Sequence, residues 1–319
     1  MEQRELGKSG IKVGKLAFGT NVLRWTIDDA MAFKLLDAFT GSGLNLIDTA
    51  DVYSKWVPGN TGGESETVIG KWMKQNNKRK DVIIATKVGH TMGMGNGMKG
   101  LSKKYIMQAV EASLRRLQTD YIDLYQSHED DLNTPIEETL ETYALLVKQG
   151  KVRAIGASNF KADRLEKSLE ISKKSGYPSY QTLQPQYNLY DRAEFEKDLE
   201  PLCLKKNVGV ICFYGLAKGF LTGKYRTKED ASNGAHGSRV VTNYMNDRGM
   251  RILKALDEVS KQHSSNPARV ALAWLMARPS ITAPIASATN LKQMEDLVQS
   301  VHLNLNKGDI ESLNTASAY

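Results

Sequence analysis

Short apolar runs and amphipathic stretches alternate along this chain eight times, and that rhythm constrains the fold more than any single motif. The runs are residues 15–20, 44–50, 82–88, 121–128, 152–159, 182–188, 208–215 and 282–287. Each is only a few residues long and mostly apolar, as suits a strand covered on both faces. Between them apolar residues recur at helical spacing, as with Phe33, Leu36 and Phe39 over 28–39, or Ile106, Val110, Leu114 and Leu117 over 102–117. The same reading predicts helices over 65–73, 163–175, 196–206, 248–262, 266–277 and 290–299. Thr134-Pro135-Ile136-Glu137 predicts a further helix, opened by a capping box with Pro at the first helical position and closed by Gly150.

Strand–helix alternation implies a parallel sheet with right-handed crossovers. Eight such units in 319 residues point to an α/β fold, a closed (β/α)8 TIM barrel, with residues 6–13 as a short N-terminal hairpin. No composition break divides the chain, so residues 1–319 read as a single barrel domain. An open doubly wound sheet is the competing architecture, and Gly95-Asn96-Gly97-Met98-Lys99-Gly100 matches its GxGxxG fingerprint literally. Its glycines begin six residues after Gly89, however, and not in the tight turn that holds a pyrophosphate against a helix N-terminus. Asp120 precedes a strand instead of ending one. Residues 219–225 imitate a P-loop but are one residue short, with Tyr225 where a magnesium-binding hydroxyl is required.

Charge narrows the partners. The net charge is +7 with a pI near 9.1, but Lys and Arg are interspersed with Asp and Glu instead of gathered on one stripe. That pattern argues against nucleic acid and leaves a phosphate-bearing small ligand as the use for scattered positive charge. The longest apolar run, 270–277, is far short of the roughly 20 residues a membrane span needs. Residues 1–10 lack the apolar stretch of a signal peptide, and Cys203 and Cys212 form no framework or metal spacing. A cytoplasmic protein without a metal centre is expected; nothing in the sequence sets an oligomeric state.

Polar residues gather where the predicted strands end. Asp48 closes 44–50 with Tyr53 five positions on, Lys87 closes 82–88 and His128 closes 121–128. Gly19-Thr20, Ser158-Asn159, Gln184, Phe213-Tyr214 and Ser287 to Thr289 mark the remaining ends. In a barrel these ends share one face, and that face carries chemistry. An acid, a phenol, an ammonium and an imidazole from successive strands suggest proton delivery to a carbonyl being reduced. The phenol is ordinarily too weak an acid, with a pKa of about 10, and an ammonium beside it favours the phenolate. Lys87 supplies that charge, Asp48 holds Lys87, and His128 orients a carbonyl oxygen. Such a site needs a hydride source.

The chain resembles the aldo-keto reductase superfamily over nearly its whole length. The resemblance is carried by Asp48-Thr49-Ala50-Asp51-Val52-Tyr53, Thr86-Lys87-Val88-Gly89 and Tyr125-Gln126-Ser127-His128-Glu129-Asp130-Asp131. Ile155 to Phe160, Gln184 to Asn188 and Leu216 to Tyr225 carry it further. It implies a (β/α)8 barrel that binds NADPH, with NADH as the alternative, and reduces an aldehyde or ketone through Asp48, Tyr53, Lys87 and His128. It also implies that Ser158, Asn159 and Gln184 hold the nicotinamide carboxamide and that Phe213 stacks on the ring. Tyr214, Gly215, Leu216, Ala217, Lys218, Lys224 and Arg239 would line the pyrophosphate and ribose. Ser287, Thr289, Gln293 and Asp296 would meet the adenosine end, with Gln293 also forming a capping box with Asn290. Gly19, Thr20, Asn21 and Asp48 complete the cofactor set, and Trp25, Tyr53, Trp56, His128 and the loop 92–98 line the substrate. Three sequence departures bear on the cofactor: Phe213-Tyr214-Gly215-Leu216 replaces the Tyr-Ser-Pro-Leu common in the family, no Arg stands near Thr289 for a 2′-phosphate, and Leu297 stands where an adenine-contacting Asn is common. The chain is also similar to potassium-channel β subunits, in which a cofactor-loaded barrel serves as a regulatory partner. The short stretch ahead of the barrel favours the enzyme.

Overall fold

The computed structural model describes residues 2–92, 99–231 and 237–319. It opens with an antiparallel hairpin, β1 (Gln3–Glu5) and β2 (Lys12–Gly14). Eight parallel strands follow: β3 (Ala17–Gly19), β4 (Leu46–Asp48), β5 (Ile83–Val88), β6 (Ile122–Ser127), β7 (Val152–Ser158), β8 (Tyr180–Gln184), β9 (Gly209–Val210) and β10 (Ile285–Ala286). Their order is β10-β3-β4-β5-β6-β7-β8-β9. The two ends of that sheet meet: Val210 bridges Ile281, Thr282 N–H donates to the Val210 carbonyl at 2.8 Å, and Ile285 N–H donates to the Cys212 carbonyl at 2.8 Å. The sheet is therefore the closed barrel that the eightfold alternation predicts.

The helices are α1 (Asp29–Gly41), α2 (Glu64–Gln75), α3 (Lys103–Leu117), α4 (Ile136–Lys148), α5 (Ala162–Ser175), α6 (Glu200–Lys206), α7 (Lys228–Ala231), α8 (Gly237–Tyr244), α9 (Asp247–Gln262), α10 (Pro267–Met276), α11 (Leu291–Ser300) and α12 (Lys307–Ala316). None among the described residues is long and apolar enough to cross a membrane.

The period of two along a strand decides what the barrel holds. Ala17, Leu46, Ala85, Leu124, Ala154, Ile211 and Ile285 fill the interior together with Leu6, Ile11 and Val13 of the hairpin. Their neighbours Phe18, Ile47, Ile84, Tyr125, Ile155 and Leu183 face the helices. Two residues on from Leu46, Ala85 and Leu124 come Asp48, Lys87 and Gln126, which therefore also point inward, one layer nearer the C-terminal face. Register staggers them: Asp48 pairs with Ala85, so Lys87, level with Gln126, lies one inward position beyond Asp48.

Several local expectations need correction. Thr134 does not cap α4: its hydroxyl donates to Asp131 Oδ2 at 2.7 Å, and Pro135 takes the cap position with its carbonyl accepting from Glu138 and Thr139 N–H. The runs 208–215 and 282–287 yield only two-residue strands, and the helix over 196–206 starts with a π-turn, Phe195–Leu199. Residues 216–246 hold a 3-10 turn, Ala217–Thr222, and α8, where only a long excursion was expected. α12, with a reciprocal capping box between Asn306 and Asp309, was not anticipated. At α11, Asn290 caps the Gln293 N–H, but Gln293 Oε1 accepts from Thr289 N–H and hydroxyl, so that capping box is only half formed.

Candidate active site

Lys87 is the centre of the site. It is fully buried, and its ammonium donates to Asp48 Oδ2 at 2.8 Å, to the Thr49 carbonyl at 2.8 Å and to Tyr53 Oη at 2.9 Å. An ammonium has three N–H groups, so all three are in use. A buried charge is tolerable only when paired and bonded in this way. Asp48 is equally constrained, because Gln184 Nε2 donates to its second oxygen at 2.9 Å. The Tyr53 hydroxyl also approaches Asp48 Oδ2, at 3.4 Å.

Tyr53 leaves β4 through successive tight turns, with its own N–H donating to the Ala50 carbonyl. The next residue, Ser54, is buried in the left-handed region at φ 71°, and its hydroxyl donates to the Leu23 carbonyl. A serine held there is strained, and strain of this kind persists where the surroundings over-determine it. It fixes Tyr53 and draws in the segment that bears Trp25. The rings of Trp25 and Trp56 meet edge-on at 5.5 Å, and Trp56 lies 6.2 Å from Tyr53. His128, held by its N–H on the Val88 carbonyl, places its ring 6.2 Å from Tyr53 and 4.6 Å from His90.

The electrostatics differ from the sequence expectation. Burial lowers the Lys87 ammonium, although Asp48 pulls the other way. The Tyr53 phenol is pushed well above its ordinary value, first by burial and then by the Asp48 charge. Asp48 therefore offsets the acidifying effect of Lys87 while the site is at rest. Burial, with the charges of Lys87 and His90, holds His128 well below the ordinary histidine value, so its ring is neutral near pH 7.

The remaining expected residues fall into groups. Ser158, Asn159 and Gln184 come together: Ser158 Oγ donates to the Gln184 carbonyl at 2.9 Å and Asn159 Nδ2 to Ser158 Oγ at 3.2 Å. Phe213 and Tyr214 sit edge-on at 5.1 Å, and the Lys218 ammonium lies 4.9 Å over the Tyr214 ring. Lys224 is exposed and lies 4.8 Å over the Tyr225 ring. Ala217 is fully buried, which leaves its backbone as the part able to meet a ligand. Asn21 Oδ1 accepts from Ser287 Oγ at 3.0 Å. Other residues are already committed. Thr20 is fully buried, donating to the Asp48 carbonyl and accepting from Ser65, and Asp296 is bonded to Asn266 and Arg269. Residues 93–98 of the expected substrate loop, with four of the six GxGxxG positions, lie outside the described residues.

The donor set fits a nicotinamide dinucleotide. Gln126 Nε2 and His128 Nδ1 are buried at the inner end of the site with no hydrogen-bond partner among the described residues. At the outer end no carboxylate lies within ion-pair distance of Lys218 among the described residues; burial lowers its ammonium, the Asp191 charge pulls the other way, and the Arg239 charge adds a smaller lowering. Orphaned polar atoms at one end and two cations at the other suit a polar ring and a diphosphate.

Sequence reading missed the layer behind Lys87. Glu66 is fully buried, accepting from Thr86 at 2.6 Å and from Arg116 at 2.7 Å. Asp51 is 1% exposed, and no side-chain partner reaches either of its carboxylate oxygens among the described residues. Burial and then Glu66 push its carboxyl well above the ordinary value, which favours the un-ionised acid. The available signal was Asp51 itself, a second acid within three residues of Asp48.

Comparison with known proteins agrees with the geometry. The model of the Aldo/keto reductase family matches residues 15–318. The oxidoreductase YrpG of Bacillus subtilis, described as uncharacterized, is 33% identical over 98% of this chain and 95% of its own length. The aldo-keto reductase YhdN of the same organism is 30% identical over 99% and 93%. A probable voltage-gated potassium channel subunit beta of Arabidopsis thaliana is 29% identical over 94% and 91%. The chain is an oxidoreductase-type barrel that belongs to the aldo/keto reductase family.

Proposed function

We propose that this chain, as one barrel domain in the cytoplasm, uses NADPH to reduce an aldehyde or ketone reversibly to an alcohol. The observation that carries the reading is the Lys87 ammonium, bonded at once to Asp48 and to the Tyr53 hydroxyl. When bound, the nicotinamide supplies hydride to the carbonyl carbon. This chain's residues handle the proton. Tyr53 gives its proton to the carbonyl oxygen as negative charge develops there, and Lys87 donates to the phenolate left behind. Because Asp48 offsets Lys87 at rest, that donation matters most as the phenolate forms, which is where an interaction accelerates a reaction. Neutral His128 donates a ring N–H to the same oxygen, and Trp25 and Trp56 shield the site from water. In alcohol oxidation Tyr53 must be phenolate, so its raised pKa favours that direction only as pH rises.

The test is absorbance at the nicotinamide band with NADPH and with NADH, over a panel of aldehydes, ketones and sugars. Tyr53→Phe should lower kcat by about 10²–10⁴-fold while leaving cofactor affinity nearly intact. Wild-type turnover in that variant would remove Tyr53 from the mechanism. The similarity to a potassium channel β subunit motivates a second reading, a cofactor-loaded regulatory barrel. Tight cofactor binding with negligible turnover across the panel would favour it.

A further inference from the structure

A hydrogen-bond hub lies beside Lys218, away from Tyr53. Asp191 Oδ2 accepts from Gln186 Nε2 at 2.7 Å, from Asn188 Nδ2 at 2.9 Å and from Tyr244 Oη at 3.0 Å. Fully buried Asn188 also donates to the Tyr214 carbonyl at 3.0 Å. Tyr244 is the last residue of α8, and its ring stacks on Phe220 at 5.6 Å and meets Tyr190 edge-on at 4.9 Å. Phe220 belongs to the same 3-10 turn as Lys218, whose ammonium lies 6.0 Å over the Tyr244 ring. Tyr214, Ala217 and Lys218 all take left-handed backbone without being glycine, at φ 55°, 46° and 56°. The hub braces that strained run from one side and Tyr244 from the other.

Tyr244 thus joins two elements that each carry a cation. Lys218 stands on the turn, and exposed Arg239 stands on α8. We propose that Tyr244, held by its bond to Asp191, is a positioning residue that sets Lys218 and Arg239 as two jaws of a clamp on a diphosphate-bearing ligand. The inference rests on the cofactor reading above and adds the residue that registers the jaws. A hydroxyl bonded to a carboxylate is a strong anchor, and its loss would free α8 to drift from the turn. The phosphate contacts would weaken, while the proton chemistry at Tyr53 would not change.

NADPH titrated fluorimetrically into cofactor-free protein gives the dissociation constant, and stopped flow gives the release rate. Tyr244→Phe keeps the ring stack and removes only the hydroxyl. It should raise Kd and the release rate about tenfold, with kcat at saturating cofactor lowered by no more than about twofold. Arg239→Gln, at an exposed position that leaves the core intact, should raise Kd by a similar factor. The double variant should bind no more weakly than the weaker single, because both changes disable one jaw. An unchanged Kd in either single variant overturns the proposal, and so does strict additivity in the double. If the parent protein binds neither NADPH nor NADH, the cofactor reading itself falls; if it binds and the variants bind equally well, only the clamp falls.

Discussion

Asp51 shows at the residue scale how the buried layer behind the site balances its charge. Two cations, Lys87 and Arg116, share it with three carboxyl groups, and two of these are already paired: Asp48 with Lys87 and Glu66 with Arg116. Asp51 makes no ion pair among the described residues, and an ionised carboxylate there would also raise Tyr53, Tyr105, Tyr125 and Tyr143. Holding it un-ionised keeps the layer near zero net charge. The linkage sign follows from its raised pKa. The unfolded chain releases this proton near pH 4 while the folded protein keeps it, so stability is full below that pH and falls as pH rises towards the folded pKa. Asp51→Asn mimics the un-ionised acid and removes the linkage. Its melting temperature should equal or exceed that of the parent at pH 7, with the difference shrinking towards pH 4. A variant that melts lower at pH 7 than its parent, by more than at pH 4, would show that the carboxylate is ionised and paired.

At the scale of elements, the α2–α3 crossing supports that layer, because Glu66 lies on α2 and Arg116 on α3. Gly70 makes the close approach possible: a Cβ there would stand 2.2 Å from the Arg116 carbonyl oxygen and 2.7 Å from the Leu117 carbonyl carbon. Replacing glycine by alanine in a helix ordinarily gains about 0.5–1 kcal/mol. Overlap with backbone costs about 1–3 kcal/mol or more and should win, so Gly70→Ala should lower denaturant stability by that order. An increase in stability would mean that the crossing relaxes freely. This scale also shows what the sequence could and could not reveal. Asp48, Lys87 and Gln184 were legible because each ends an apolar run, and one period of two carries each to the inner face. Glu66 with Arg116 and Asp191 with Tyr244 were not, because their partners lie 50 and 53 residues away on other elements. The missing α4 capping box has a local cause instead: Thr134 bonds Asp131, in its own loop, and not the helix behind it.

Across the whole molecule, the barrel separates what holds it together from what reacts. The hairpin closes the end opposite the site. Leu6, Ile11 and Val13 join the inner core, while Arg4 donates to the Ile281 carbonyl at 2.7 Å and to the Met276 carbonyl at 2.9 Å. Gly7, at φ +58°, lies so close that a Cβ would stand 2.1 Å from the Gln181 carbonyl oxygen. The hairpin therefore grips β8 and the segment that closes the sheet on β9, so its loss would loosen closure without touching Tyr53. Leu6 is fully buried, and truncating such a side chain costs about 2–5 kcal/mol. Leu6→Ala should lower stability by that order in denaturant titrations, yet keep cofactor affinity and kcat within about twofold wherever the protein remains folded. The interior side chains, among them Ala17, Leu46, Ala85, Leu124, Ala154, Ile211 and Ile285, lie between the hairpin and the face where Asp48, Tyr53, Lys87 and His128 converge. A matched fall in kcat and stability would show those layers transmitting strain along the barrel axis, and the two ends would then have to be treated as one cooperative unit.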